Sequence, residues 1–490
     1  MTKPKEFKFI HLLLPILFLV FIIGYGLVIG PHFFGIPTFP LEFIFLAAAV
    51  FTIVELFILG YKWPEIQDAI IAKLTKGFPA ILILFSIGII IGTWIISGTI
   101  PMLVYYGIKV INPDYIYFFA FIIPIIFSTL TGTSWGSIGT IGAVIIGIST
   151  VIHADPAITA GAIIGGAYFG DKMSPLSDTT NLASIATEVN LYDHIQSMTY
   201  TTFPSAIIAA IIFFIMGFVY PAENHIDSLT NITQTTDTIH SLFNFNILLI
   251  IPPLIVLIGS LKRKATLPVL ITSAISAIFL GMIFQDYTLT DFIQSVLHGY
   301  NTNMAGWVKN VPENINILFN RGGLYELNEA IMFTFMVFIF IGALDIMDAM
   351  PKIVGRLFRS VKTKSGLIIS TLLATAFTNA FTSNQSATSF IIGDAFKKQY
   401  DKFGIQRKVL SRSIEDYGTM IETLVPWTAS TIFVVATLGV PYADYWHWQL
   451  LSLINIIVAP LLAVTGIGCF YKEKKSKRTK ITDSHEKNEL

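Results

Sequence analysis

The stretch Gly170-Asp171-Lys172-Met173-Ser174-Pro175-Leu176-Ser177-Asp178-Thr179-Thr180-Asn181 sets two carboxylates, an ammonium and four hydroxyls between long apolar runs. A charge at bilayer depth costs about 2.5–3.5 kcal/mol on insertion scales, so such residues are rarely incidental there. Pro175 lacks an amide donor and clashes with the preceding turn, so a helix through this stretch must break. A second stretch, from Asp416 through Thr419, Glu422, Thr423 and Pro426, repeats the pattern later in the chain. Each follows a Ser/Thr-rich interruption about forty residues upstream, Thr131 to Ser137 and Thr382 to Ser386. Polar breaks at corresponding places in two halves point to discontinuous helices around a transport site.

The composition is of the same kind. The chain has 490 residues, 54% hydrophobic and 13% charged, with a mean hydropathy of +0.70, where a soluble protein carries about 25% charged residues. Repeated apolar runs of about 20 residues place it among all-α polytopic membrane proteins embedded in a lipid bilayer. A formal net charge of zero supplies no basic field for nucleic acid. The single cysteine, Cys469, leaves no internal disulfide and no thiol metal site. Packing against lipid or a neighbouring helix is its expected role, and no cofactor is expected. Met1 to Lys8 is a short basic patch ahead of an apolar run without a small-residue cleavage site, so a retained helix is expected.

Basic residues cluster on the cytoplasmic side of membrane spans. Here they fall at Lys3/Lys5/Lys8, Lys62/Lys73/Lys76, Lys262-Arg263-Lys264, Lys352 to Lys364, Lys397 to Arg412 and Lys472 to Lys480, while 221–243 has none. The pattern predicts spans near 9–30, 39–60 and 78–98, then 244–260, 266–284 and 329–348 in the opposite orientation. Segments 114–153 and 365–396 then begin and end on one side, so each is expected to be a re-entrant hairpin. The result is an inverted-topology repeat of about five transmembrane helices plus one hairpin per half, with discontinuous helices at the midplane. The first repeat is 1–220 with a broken helix at 157–188, and 221–243 is an extracytoplasmic loop. The second repeat is 244–470 with a broken helix at 413–435, and 471–490 is a basic cytoplasmic tail. Both termini are expected inside, and 286–328 is expected to form an external amphipathic segment.

Non-helical backbone at membrane depth is stable only where it is buried in protein or lines a wet cavity. The first hairpin tip frees carbonyls beside the hydroxyls of Thr133, Ser134 and Ser137, oxygen ligands suited to a hard cation. Opposite stand Asp178, Thr179 and Asn181. The mirror set is Ser383, Asn384 and Ser386 facing Glu422 and Thr423. Asp178, Thr133, Ser134 and Glu422 are the expected sodium ligands, with Asp178 the leading exchange carboxylate and Asp171 the second. Burial favours a protonated carboxyl and a bound cation favours the ionised one, so sodium and protons compete for the same oxygens. Lys172 is expected to neutralise a nearby carboxylate.

Blander roles compete with these. Asp171 and Asp416 also fit as helix N-caps, and Asp345, Asp394, His11, His32 and His153 as interfacial residues. Glu55, mid-span, is open between a polar contact and a proton path. Tyr168-Phe169-Gly170-Asp171 faintly resembles the Gly-x-Gly-Asp signature of intramembrane aspartyl proteases, but Tyr168 stands where glycine is required. No enzyme is expected. An ion channel would need a continuous polar pore, which single-channel conductance would reveal.

The runs Gly132-Thr133-Ser134-Trp135-Gly136-Ser137-Ile138-Gly139-Thr140 and Gly165 to Ala183 resemble the NhaC family of sodium/proton antiporters, within the larger ion transporter superfamily. Thr378 to Gln385 and Ile414 to Thr419 are similar to it as well, and the resemblance covers roughly 10–470. It implies a secondary antiporter of the bacterial inner (plasma) membrane, exchanging sodium for protons by alternating access. A scaffold and a mobile hairpin-bearing domain are implied, an arrangement that suits a homodimer. Exchangers of malate plus protons for sodium plus lactate resemble the same pattern, so a sodium-coupled organic-anion antiporter is the alternative. Ser383-Asn384 would then meet the substrate carboxylate.

Overall fold

Proline and glycine punctuate a chain that is otherwise helical. The computed structural model describes residues 7–222, 226–309, 311–357 and 361–471, among which no β-strand forms. Lys3, Lys5 and the basic tail lie outside the described residues.

The first half comprises α1 Phe9–Phe34, α2 Leu41–Ile58, α3 Trp63–Ile96, α4 Thr99–Val110, α5 Ile116–Thr131, α6 Ser134–Val151, α7 Pro156–Met173, α8 Asp178–Thr187 and α9 Leu191–Val219. After α10 Ile226–Leu242 come α11 Ile251–Leu261, α12 Thr266–Phe284, α13 Leu289–His298, α14 Glu313–Phe319, α15 Asn328–Asp345 and α16 Ala349–Leu357. The last group is α17 Lys364–Thr382, α18 Gln385–Phe403, α19 Arg407–Tyr417, α20 Ala429–Leu438 and α21 Leu450–Thr465. Among the described residues nine helices are long and apolar enough to cross a membrane, or twelve if each bent pair is one span. The chain is a multi-pass membrane protein.

Its outer face is correspondingly oily. Leu17 and Phe21 on α1, Val50 and Val54 on α2, Ile207 and Ile211 on α9, and Ile275 and Phe279 on α12 are all exposed. α7 is the opposite case: every residue from Ile158 to Lys172 is buried. Gly170 permits this depth, because a Cβ there would lie 2.6 Å from the Ser128 Cβ on α5. α2, α3, α12 and α15 pack into one group, while α5 lies along α7 and α17 along α19.

The two predicted tips are built alike. Gly132 (φ +70°) and Ser383 (φ +48°) take the left-handed conformation, and Thr133 and Asn384 then cap the following helix in extended backbone. Glycine adopts that reversal without strain; serine does so less readily. α5, taken with the turn that precedes it (Pro113–Thr131), and α6 are each among the helices long and apolar enough to cross a membrane.

Three expectations need correction. α3 begins at Trp63, so Lys73 and Lys76 belong to a helix rather than a loop, and buried Lys73 pairs with Asp345 at 3.4 Å. α4 is an additional helix that apolar periodicity alone did not separate from its neighbours. The segment 286–328 is not a free amphipathic strip. Gly323 donates its amide to the Gly88 carbonyl at 2.6 Å, and Ser295 donates to the Gly92 carbonyl at 2.9 Å, wedging it against α3. From there Arg321 donates to the Thr437 carbonyl at 2.5 Å, in the last turn of α20, where a cation meets the negative helix end. Removing a hydrogen bond to a charged group costs about 1.5–3 kcal/mol. Arg321→Ala is therefore expected to lower the thermal midpoint in detergent, with Arg321→Lys recovering part of the loss. An unchanged midpoint would dismiss the contact.

Candidate ion-binding cavity

α7 stops at Met173 because Pro175 disfavours a helical conformation at Ser174, which is extended at φ −80°, ψ 131°. The chain becomes helical again at Asp178, where Ser177 caps the new helix. Asn181 fastens the break, its amide donating to the carbonyls of Pro175 (3.0 Å) and Ser177 (2.6 Å). Asp171 thus sits in the last turn of α7 and Asp178 at the first position of α8. Neither Asp171 nor Asp416, in the last turn of α19, caps a helix N-terminus, so the capping alternative is withdrawn for both.

The first tip lies on this break. A Cβ at Gly132 would meet the Leu176 Cβ at 2.6 Å. Ser134 Oγ donates to Asp171 Oδ2 at 2.7 Å, so a hydroxyl at the start of α6 holds a carboxylate in the last turn of α7. Thr133 Oγ1 accepts the Gly136 amide at 3.2 Å. Ser137, fully buried, donates to the Thr133 carbonyl at 2.7 Å and so braces the tip from behind.

A cavity of about 530 Å³ opens beside them. Thr133, Ser134, Tyr168, Asp171, Asp178, Thr179 and Asn181 line it from the first half, and Thr419 and Glu422 from the second. Arg263 and Lys264, in the turn between α11 and α12, complete one side. Asp171 is 6% exposed, Glu422 is half-buried and Asp178 is exposed. Seven of the twelve residues expected from the sequence therefore share one space. Among the described residues no three His, Cys, Asp or Glu converge as a metal-binding group. A cation here would need hydroxyl and carbonyl oxygens alongside the carboxylates.

The mirror set is not arranged as expected. Ser383 Oγ accepts the Ala429 amide at 2.9 Å, helping to start α20. Asn384 caps its own helix through the Ala387 amide at 2.8 Å. Thr423 is buried and donates to Gln449 Oε1 at 2.5 Å, while its carbonyl accepts from Gln449 Nε2. Ser386 is half-buried, and like Ser137, Ser383, Asn384 and Thr423 it does not line the cavity. The two halves meet instead through aromatics: Trp135 stacks on Phe433 with centroids 4.4 Å apart and donates to Ser430 Oγ at 3.2 Å.

Behind the cavity lies a charged cluster. Lys172, fully buried, pairs with Asp416, which also accepts from Thr201 at 2.8 Å and has Arg412 Nε at 3.8 Å. Lys172 does neutralise a carboxylate, on the second half rather than its neighbour Asp171. Glu415, wholly buried, accepts from Thr419 Oγ1 at 2.6 Å. Sequence reasoning passed over Arg412 and Glu415, since Arg412 looked like the end of a basic loop. The available signal was Arg412-Ser413-Ile414-Glu415-Asp416 running directly into the second polar break. On the outer group of helices, Glu55 meets His11 Nδ1 at 3.2 Å, which is the polar-contact alternative for that residue.

Residues 166–467 match the model of the Na+/H+ antiporter family. The chain is similar to an uncharacterized Na+/H+ antiporter of Haemophilus influenzae, 39% identical over 93% of this chain and 95% of that one. It is 32% identical to the Na+/H+ antiporter NhaC of Alkalihalophilus pseudofirmus, over 96% and 97% of the two chains. It is also 32% identical to the malate-2H+/Na+-lactate antiporter of Bacillus subtilis, over 85% and 88%.

Proposed function

The chain belongs to the Na+/H+ antiporter family, and from that premise we propose that it exchanges sodium for protons by alternating access, with the cavity at the first hairpin tip as its ion site. The observation that carries this reading is Asp171. A nearly buried carboxylate, held by the hydroxyls of Ser134 and Ser177 and facing a cavity, is costly to leave without a counter-charge, and sodium supplies one. Asp171 is the proposed sodium-binding carboxylate, where the leading role was expected of Asp178. Ser134 and the tip carbonyls would complete the sodium shell, Glu422 would contribute from the second half, and exposed Asp178 would draw the cation inward.

The packing suits a moving element carried on a scaffold. α8 leans on α18 and α20 leans on α6, so each half-helix beyond a break rests on the hairpin of the other half. Such crossing supports the inverted repeat with re-entrant hairpins. The bacterial plasma membrane, cytoplasmic termini and a homodimer belong to the same proposal.

In proteoliposomes an imposed sodium gradient is expected to drive protons in the opposite direction; a gradient that moves none ends this reading. Asp178→Asn is expected to raise the half-saturating sodium concentration by less than about tenfold, because exposed charges contribute about 1 kcal/mol or less. Complete loss of transport in that variant would return the leading role to Asp178.

A second reading has its own observation. The cavity is many times larger than a bare ion requires and carries Arg263 and Lys264 on one side, where a carboxylate would bind. A sodium-coupled organic-anion antiporter, as in the relative acting on malate and lactate, follows. Sodium uptake accelerated by malate or lactate on either face would favour it.

A further inference from the structure

We propose that Glu415 is the seat of the exchanged proton and that the Thr419 hydroxyl passes this proton to the cavity. The inference deepens the sodium/proton reading and rests on it.

Glu415 is completely inaccessible on α19. Its Oε2 lies 2.6 Å from Thr419 Oγ1, and Oε1 has no hydrogen-bond partner among the described residues. Thr419 lines the cavity, so one hydroxyl separates this carboxyl from the space where Asp171 stands. The charged groups facing Glu415 are Lys172 and Asp171 from α7, Asp416 beside it and Glu422 across the break. Of these the sole cation, Lys172, is committed to Asp416. A buried carboxyl without a counter-ion of its own is most stable as the neutral acid. Sodium arriving at Asp171 removes that requirement by placing a positive charge nearby.

The step balances. The Glu415 carboxyl gives its proton to Thr419 Oγ1, the hydroxyl releases its own hydrogen to cavity water, and the carboxylate is left accepting from Thr419. One positive charge leaves the site as sodium brings one in. Asp171 is thereby the sodium seat and Glu415 the proton seat, with separate side chains for the two ions.

The test uses the full chain in proteoliposomes, comparing sodium/sodium counterflow (radioactive sodium alone) with sodium-driven proton movement. Glu415→Gln is expected to keep counterflow within about twofold while proton movement falls at least about tenfold. Thr419→Val is expected to lower proton movement severalfold with counterflow likewise kept, and it carries the comparison should Glu415→Gln fail to fold. Proton movement at the wild-type rate in either variant, or parallel loss of both activities in folded protein, overturns the proposal. A wild type that shows counterflow but moves no protons refutes the underlying exchange reading instead.

Discussion

Asp171→Asn is expected to abolish both sodium/proton exchange and sodium/sodium counterflow while leaving the fold intact. The amide keeps nearly the volume of the carboxyl, and its oxygen still accepts from Ser134 Oγ, now 2.7 Å from Asp171 Oδ2. Only the charge is lost. An attraction between unit charges about 4 Å apart is worth about 4 kcal/mol at an effective dielectric of 20, equivalent to about a thousandfold in affinity. Residue 171 is 6% exposed, so solvent screens little of that. Folding is checked by monodispersity and by the thermal midpoint in detergent, both expected near wild type. Counterflow above about a tenth of the wild-type rate in Asp171→Asn would remove this carboxylate from the site. The contrast with Glu415→Gln, expected to lose proton movement alone, separates the two seats.

What the sequence disclosed and what it concealed follow from range. Breaks are local events. Pro175 ends α7, and a Gly-Thr or Ser-Asn pair reverses a hairpin, through backbone rules that act over a few residues, so both tips and both breaks were legible. That the first tip meets the first break was legible too, because two polar interruptions in one apolar half have few places to hide except against each other; that Asp171 rather than Asp178 takes the Ser134 hydroxyl was not. Partner choice across the halves was not legible. Whether Lys172 would find Asp171, Asp178 or Asp416 depends on how α7 and α19 rotate about their axes, and α7 is apolar on every side with no amphipathic stripe to fix its rotation. The mirror set failed for a related reason. Ser383 and Asn384 share the type of Thr133 and Ser134, but their oxygens satisfy the amides of Ala429 and Ala387, and capping looks the same in sequence as ligation. The wedge at 286–328 was hidden because its partners on α3 are the backbone carbonyls of Gly88 and Gly92, met by the Gly323 amide and the Ser295 hydroxyl, and a glycine carbonyl leaves no side-chain pattern to read.

The largest stability loss is expected from Asp416→Asn, exceeding that of Lys172→Met. Both residues are buried, and removing one member of a buried ion pair costs about 3–5 kcal/mol because the other charge is stranded. The two deletions are not equivalent, since Asp416 faces two cations, Lys172 in direct contact and Arg412 with Nε at 3.8 Å. Lys172→Met leaves Asp416 with the Arg412 guanidinium and the Thr201 hydroxyl, so a neutral pair survives with one long contact to close. Asp416→Asn leaves two buried positive charges and no carboxylate between them. Arg412 keeps the Gly468 carbonyl at 2.8 Å, but Lys172 loses its only charged partner among the described residues. The cluster also ties α7 and α9 of the first half to α19 and α21 of the second, through Lys172, Thr201, Asp416 and Asn455, so its failure loosens the junction on which the cavity is built. Thermal midpoints in one detergent should therefore fall in the order wild type, Lys172→Met, Asp416→Asn. The double variant should lie above Asp416→Asn, because methionine removes one stranded cation. The reverse order of the single variants, or equal midpoints for all four proteins, would show that Asp416 does not bridge the two cations in the folded protein.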